Sequence, residues 1–215
     1  MSGPRIAPLG DAGVLVTFAD RIDGSARDRV AALTERLRGE TAAGVVELVP
    51  ALVTLAVHYQ PDEIDFPTLR DRILRALATL GPAAAPPVGR SIAIPVVYDG
   101  PDLEAVARAV ALPVDEVIAR HQAPEYRVAL LGFVPGFGYL TGLDPRLVLP
   151  RRSAPRPRVP AGSVAIAGEQ TGVYPASTPG GWHLIGRTEV RMFDPSRGPP
   201  SLLAVGDRVR FVIER

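Results

Sequence analysis

The chain has 215 residues, 47% of them hydrophobic and 22% charged, with a formal net charge of +1 and no cysteine. That length suits one large domain or two small ones around a buried core. The near-neutral balance gives no global basic field for nucleic acid, and the missing cysteines exclude disulfides, thiol catalysis and cysteine-type zinc sites. Lysine is also absent, so all 24 Lys/Arg positions are arginine. This removes Schiff-base lysine chemistry and the lysine of an ordinary P-loop. Any anion must be held by arginine, backbone N–H groups or helix N-termini. No apolar run approaches the roughly 20 residues of a membrane-spanning helix, and Met1 to Arg5 lacks the apolar core of a signal peptide. The expectation is a cytoplasmic protein with no membrane or nucleic-acid partner.

Arg5 to Pro8 and Val14 to Ala19 read as short strands around a Gly10-Asp11-Ala12-Gly13 turn. Residues 24–40 place Val30, Leu33 and Leu37 at helical spacing. Val45 to Val49 and Leu52 to Tyr59 form a strand pair joined at Pro50-Ala51. Asp65 caps a second helix with the apolar face Phe66, Leu69, Ile73, Leu77 and Leu80, stopped by Gly81-Pro82. Ala83 to Gly89 reads as a linker, and Ser91 to Tyr98 as a further strand that could belong to either side of it. Strand, helix, strand, strand, helix, strand is the ferredoxin-like order.

Two short helices follow. Leu103, Val106, Ala107 and Val110 line the first; Pro113 opens the second, with Asp115 and Glu116 in its first turn, where they suit the helix dipole. From Tyr126 the pattern is all β, with strands at 126–131, 163–167, 172–175, 182–187, 189–193 and 208–213 and a turn at Leu203 to Asp207. Short strands punctuated by glycine and proline predict a closed or nearly closed barrel. The expected architecture is α+β, with one domain at 1–88 and a β-barrel domain at 89–215.

Function points to Gly132 to Thr188. Two glycine–aromatic clusters, Gly132 to Leu140 and Thr178 to His183, frame it. Such clusters bring bends and ligand platforms together. Between Pro145 and Thr188 stand six arginines, at 146, 151, 152, 156, 158 and 187, against one acid, Glu169. This fits an anion site for carboxylate or phosphate, and it equally fits a solvated loop or a contact between subunits. Prolines 145, 150, 155, 157 and 160 predict a stiff, polyproline-like arm.

His58 reads as structural and His121 as a packing or capping residue. His183 lies on the face of its strand opposite Trp182 and Leu184, just after a Gly-Gly pair, and reads either as a satisfied polar residue or as a ligand-binding or acid–base group. Glu169 is either a salt-bridge partner or a carboxylate orienting a substrate amide or water. Phe133, Phe137, Tyr139 and Tyr174 line a pocket or fill the core. No Ser-His-Asp set and no metal-ligand spacing is present, so no metal is expected.

The runs Gly132 to Phe137, Pro150 to Arg156, Val159 to Gly168 and Gln170 to Ile185, with Gly10-Asp11-Ala12 and the helix ending at His121, resemble the KipI / allophanate hydrolase subunit 1 family. Its bacterial members include one component of 5-oxoprolinase. Gly138 departs from the family, whose members often carry proline there. The resemblance covers nearly the whole chain. It implies a ferredoxin-like N-terminal domain and a cyclophilin-like β-barrel. It implies a subunit of an ATP-dependent hydrolase that converts 5-oxo-L-proline to L-glutamate. The implied partners are a homologous barrel protein, the C component of that enzyme, and a third protein, its A component.

On that reading ATP binds at or near a partner interface, and the isolated chain is inactive. His183 and Glu169 are then the catalytic candidates; Arg156, Arg158, Gln170, Phe137, Tyr139, Tyr174 and Thr178 are the substrate-binding candidates. The same resemblance leaves two alternatives: an inhibitor of a sensor histidine kinase, and a carboxyltransferase-like part of a urea carboxylase/allophanate system.

Overall fold

The computed structural model describes residues 3–21, 24–40, 43–80 and 89–214. They fall into two units, Met1–Pro87 and Val88–Arg215.

In the first unit the order is β1 (Arg5–Pro8), β2 (Gly13–Thr17), α1 (Gly24–Gly39), β3 (Val45–Pro50), β4 (Thr54–Tyr59) and α2 (Phe66–Ala78). The strands form an antiparallel sheet in the order β1-β2-β4-β3. Period-two alternation sends Val14, Val16, Leu55 and Val57 to one face, where they meet Val30, Leu33 and Leu37 of α1 and Leu69, Ile73 and Ala76 of α2. Asp65 caps α2, its carboxylate accepting from the Thr68 amide at 2.9 Å. The strand expected at 91–98 does not join this sheet. The tight β1–β2 hairpin, closed by Leu9 N–H to Gly13 O at 2.8 Å, supplies the edge strand locally instead. The predicted stop at Gly81-Pro82 and all but Gly89 of the linker lie outside the described residues.

The second unit runs β5 (Ser91–Val96), α3 (Leu103–Ala109), α4 (Val114–Gln122), β6 (Tyr126–Leu131), β7 (Gly138–Thr141), a 3-10 turn (Pro145–Leu147), β8 (Arg156–Val159), β9 (Ser163–Ala167), β10 (Gln170–Val173), β11 (Thr178–Gly180), β12 (His183–Arg187) and β13 (Arg208–Ile213). Seven strands form one sheet in the order β12-β9-β10-β7-β6-β13-β5, the last pair parallel. Its two edges meet where Val97 and Arg187 exchange backbone hydrogen bonds of 2.9 Å, so the sheet is a nearly closed barrel. The interior is filled by Ile94, Tyr126, Val128, Leu140, Val164, Ile166, Ile185, Val209 and Phe211, with Leu103, Val106 and Val117 from the helices packed on them.

Two expectations change, and one strand appears that the sequence did not announce. Residues 189–193 are not a strand; only Phe193 bridges, to Ser201. The proline-arginine arm is not free polyproline: β8 pairs with β11 as a two-stranded ribbon, a position that tolerates Pro157 because an edge strand leaves one side unbonded. β7 carries backbone pairing on both sides although it follows a glycine-rich loop. Among the described residues no helix is long and apolar enough to cross a membrane.

Candidate functional site

The barrel wall formed by β7, β10, β9 and β12 has two apolar faces. Val164 and Ile166 point inward, whereas Ala165 and Ala167 point outward to a second cluster of Phe137, Val159, Tyr174, Trp182 and Leu184, with Val134 and Tyr139 against it. The aromatic rings meet edge to face. Phe137 lies 4.9 Å from Tyr139, 5.3 Å from Tyr174 and 5.4 Å from Trp182, centroid to centroid, within the range such pairs favour. Gly172 makes the space: a Cβ there would lie 2.9 Å from Gly138 O and 3.1 Å from Phe137 Cζ. A side chain at Gly180 would collide with the Tyr174 hydroxyl.

Phe133 stands at the rim. It is 57% exposed, adopts φ 68°, and sets its ring 5.5 Å from Phe137 and 6.4 Å from Tyr174. A left-handed φ is unfavourable for an aromatic residue and persists only when the surroundings impose it. The loop does so through Gly132 N–H to Phe137 O and Phe137 N–H to Val134 O, each 3.1 Å.

The charge on this unit's Pro/Arg tract is organised by a residue far upstream. Asp102, 4% exposed, sits at the start of α3 without capping that helix through its side chain. Its Oδ1 accepts from Arg152 Nη1 at 2.9 Å and Arg156 Nη2 at 2.7 Å, and its Oδ2 from the Leu184 amide at 2.7 Å. Burial pushes the Asp102 carboxyl pKa up, but the Arg156 and Leu184 hydrogen bonds and the two arginine charges outweigh it and hold the pKa below the usual carboxylate value. Arg152 Nε and Arg156 Nη1 are buried without a partner, as are Gln170 Nε2 and Thr178 Oγ1.

The candidate residues therefore divide. Phe137, Tyr139 and Tyr174 are in direct ring contact. Arg156 is paired in register with Gly180, which packs on Tyr174, and Thr178 with Val159 of the same cluster. Burial raises the pKa of the Tyr174 hydroxyl, opposed by a backbone hydrogen bond from Trp182 and the charges of Arg151 and Arg156. Gln170 pairs with Ala167 and so shares the outward face. Arg158 turns to the exposed side, donating from Nε to Ser177 Oγ at 3.0 Å.

His183 lies across the strand from this cluster, partly exposed, with Nε2 2.8 Å from Pro150 O. Glu169 is the exposed second residue of the Gly168-Glu169 turn and makes no ion pair among the described residues. Because His183 pairs with Ile166, one residue before the end of β9, it and Glu169 occupy the same end of that strand. Asp102 was invisible in the sequence because Pro101-Asp102-Leu103 reads as an ordinary helix start.

Inside the barrel, His121 is fully buried. Thr171 Oγ1 donates to Ala165 O at 2.9 Å, so it accepts from His121 Nε2–H at 2.9 Å, and Nδ1 accepts from the Tyr98 hydroxyl at 2.7 Å. The ring stacks on Phe211 at 4.6 Å, and burial lowers its pKa to about 3. It is a neutral core residue.

Comparison with known proteins places this geometry. The sequence profile of the family described as carboxyltransferase domain, subdomain C and D, matches residues 4–203. The 5-oxoprolinase B subunit of Bacillus subtilis (strain 168) is 41% identical over 222 residues, covering 97% of this chain and 92% of that protein. The crystal structure of TTHA0988 matches with a TM-score of 0.82 and 43% identity over 94% of this chain, which spans 40% of that protein's chain. The Kluyveromyces lactis urea carboxylase shares the fold, with a TM-score of 0.78 and 18% identity over 99% of this chain and 22% of that one. The chain belongs to the carboxyltransferase subdomain C and D family, in the branch that contains 5-oxoprolinase B subunits.

Proposed function

We propose that this chain is a subunit of an ATP-dependent 5-oxoprolinase, opening 5-oxo-L-proline to L-glutamate together with partner subunits. The observation that carries this reading is the 41% identity to a 5-oxoprolinase B subunit along nearly the full length of both chains. A component designated B implies others; the partners proposed are the homologous barrel protein that forms the C component and a third protein, the A component. The isolated chain is proposed to be inactive and cytoplasmic.

The substrate presents a carboxylate, a lactam carbonyl and a lactam N–H. Arginine suits the carboxylate because its fork matches carboxylate oxygens pairwise; Arg156 is the proposed contact, whereas Arg158, bonded to Ser177 on the exposed side, lies away from it. Gln170 is proposed to read the amide, and its buried, unpartnered Nε2 supports that role. Thr178 offers a hydroxyl. Tyr139, partly exposed, is the proposed wall of the site, while Phe137 and Tyr174, 1% and 2% exposed, support that wall from behind. His183 and Glu169, at one end of β9, are proposed to move the proton and orient water for ring opening.

ATP supplies activation of the lactam oxygen by phosphoryl transfer, so that water can add to the ring carbon and the C–N bond can break. The sequence has no lysine, so arginine and backbone N–H groups would hold the phosphates from this chain's side, and ATP is proposed to bind at the interface with the partner subunits.

The same reading treats the second unit as cyclophilin-like, which does not imply isomerase activity because fold is not function. The first unit is treated as a rearranged ferredoxin-like domain with β1 in place of its last strand. The fold shared with urea carboxylase supports one competing reading, a detached carboxyltransferase part. Co-expression with the partner subunits and an assay for ATP-dependent glutamate formation separates the two. An assembled complex that carboxylates urea with a biotin-bearing partner and forms no glutamate would favour the competitor.

A further inference from the structure

We infer that Arg152 and Arg156, clamped by Asp102, form the subsite that selects a substrate bearing a carboxylate, with Asp102 as the positioning residue; this rests on the 5-oxoprolinase reading above. Two guanidinium groups share one carboxylate oxygen, and the other oxygen of Asp102 is taken by the Leu184 amide. Asp102 accepts three hydrogen bonds, and the cluster of two arginines and one acid keeps one net positive charge. Glu169 does not balance it, since it stands on an exposed turn without an ion pair among the described residues.

Donors remain as well as charge. Arg152 Nε and Arg156 Nη1 are buried and unpartnered, an uncompensated desolvation that an arriving carboxylate would offset. The side chains stay reachable, 34% exposed for Arg152 and 23% for Arg156. The pair also borders the aromatic cluster. Arg156 is in register with Gly180, which packs against the Tyr174 hydroxyl, and the Arg152 amide donates to Gly181 O at 2.8 Å. A small ring lying on the aromatic wall would thus present its carboxylate to the fork.

Asp102 fixes this arrangement from outside the tract. It ties the two arginines to the backbone of β12. It touches no substrate in this account.

The test uses the complex assembled with its partner subunits and two lactams: 5-oxoproline, and 2-pyrrolidinone, the same ring without the carboxylate, as an inhibitor. Arg152→Met is expected to raise the KM for 5-oxoproline about 10- to 100-fold with kcat within about threefold, the loss of one charge-assisted contact. Arg152→Lys is expected to recover part of that loss, and inhibition by 2-pyrrolidinone to change less than about twofold. Asp102→Asn is expected to raise KM in the same selective way in complexes that still assemble. An unchanged KM in an assembled Arg152→Met complex, or equal weakening of both lactams, overturns the subsite. A wild-type complex that assembles but does not turn over 5-oxoproline overturns the functional reading and the subsite together, so the two failures are told apart.

Discussion

Asp102 and Leu184, 82 residues apart, hold each other by two hydrogen bonds: the Asp102 amide donates to Leu184 O at 3.0 Å, and the Leu184 amide donates to Asp102 Oδ2 at 2.7 Å. Beyond the Val97–Arg187 bridge the edge of β12 is thereby covered by a helix start. Removing the carboxylate would strand a buried amide and leave two arginines without their shared acid. Asp102→Ala is expected to cost about 3 kcal/mol, and Arg152→Met, which leaves Arg156 on the acid, about 1 kcal/mol. Urea denaturation of each variant measures the difference.

Gly172 sets the aromatic packing. A methyl group there meets Gly138 O, Phe137 Cζ and Trp182 Cζ3 at 2.9, 3.1 and 3.4 Å. Two of these belong to rings packed on all sides, and the third is backbone, so little can yield. Gly172→Ala is expected to lose about 1–3 kcal/mol and to shift the emission of Trp182, the single tryptophan. Fluorescence and thermal melting read both effects in one sample.

His121 gives a pH dependence with a definite sign. The folded chain keeps it neutral to about pH 3, whereas the unfolded chain protonates it near 6.5. As pH falls below 6.5 the unfolded state binds the extra proton, so stability decreases. The expected slope is about 1 kcal/mol per pH unit from 6.5 downward. Asp102 and Asp207, whose carboxyl pKa values are both held low, add to the loss only as pH falls through the carboxylate range, below about 5. Between pH 6.5 and 5, stability of His121→Gln should therefore be nearly flat while the wild type slopes. Equal slopes would assign the effect elsewhere.

His183 is partly exposed and, among the described residues, bonds through its side chain only to a backbone carbonyl, so its removal should not disturb the fold. His183→Ala is expected to lower kcat about 100-fold, the scale of a lost general acid or base, with the melting temperature nearly unchanged. Steady-state kinetics on the assembled complex gives the answer, and full turnover would remove His183 from the chemistry.

Much of this fold was legible. Val30, Leu33 and Leu37 announced α1, Asp65 announced the cap of α2, and the alternating run around His183 put Trp182 and His183 on opposite faces as found. What stayed hidden were strands carried by partners rather than propensity. Arg156–Val159 and Thr178–Gly180 contain prolines and stand only because each pairs with the other at an edge. The strand at 91–96 was legible as a strand but not as the parallel neighbour of residues 208–213, because register across more than a hundred residues leaves no local pattern. Of the candidate site, the aromatic residues and Arg156 were singled out by local density, whereas Asp102 joins them through three-dimensional pairing alone.

The most direct measurement is glutamate formed and ATP consumed from 5-oxoproline by the partner subunits, with and without this chain. Coupled formation is expected only when the chain is present, and none from the chain alone. Equal turnover without it, or a fully assembled complex that forms no glutamate, would overturn the assignment to 5-oxoprolinase.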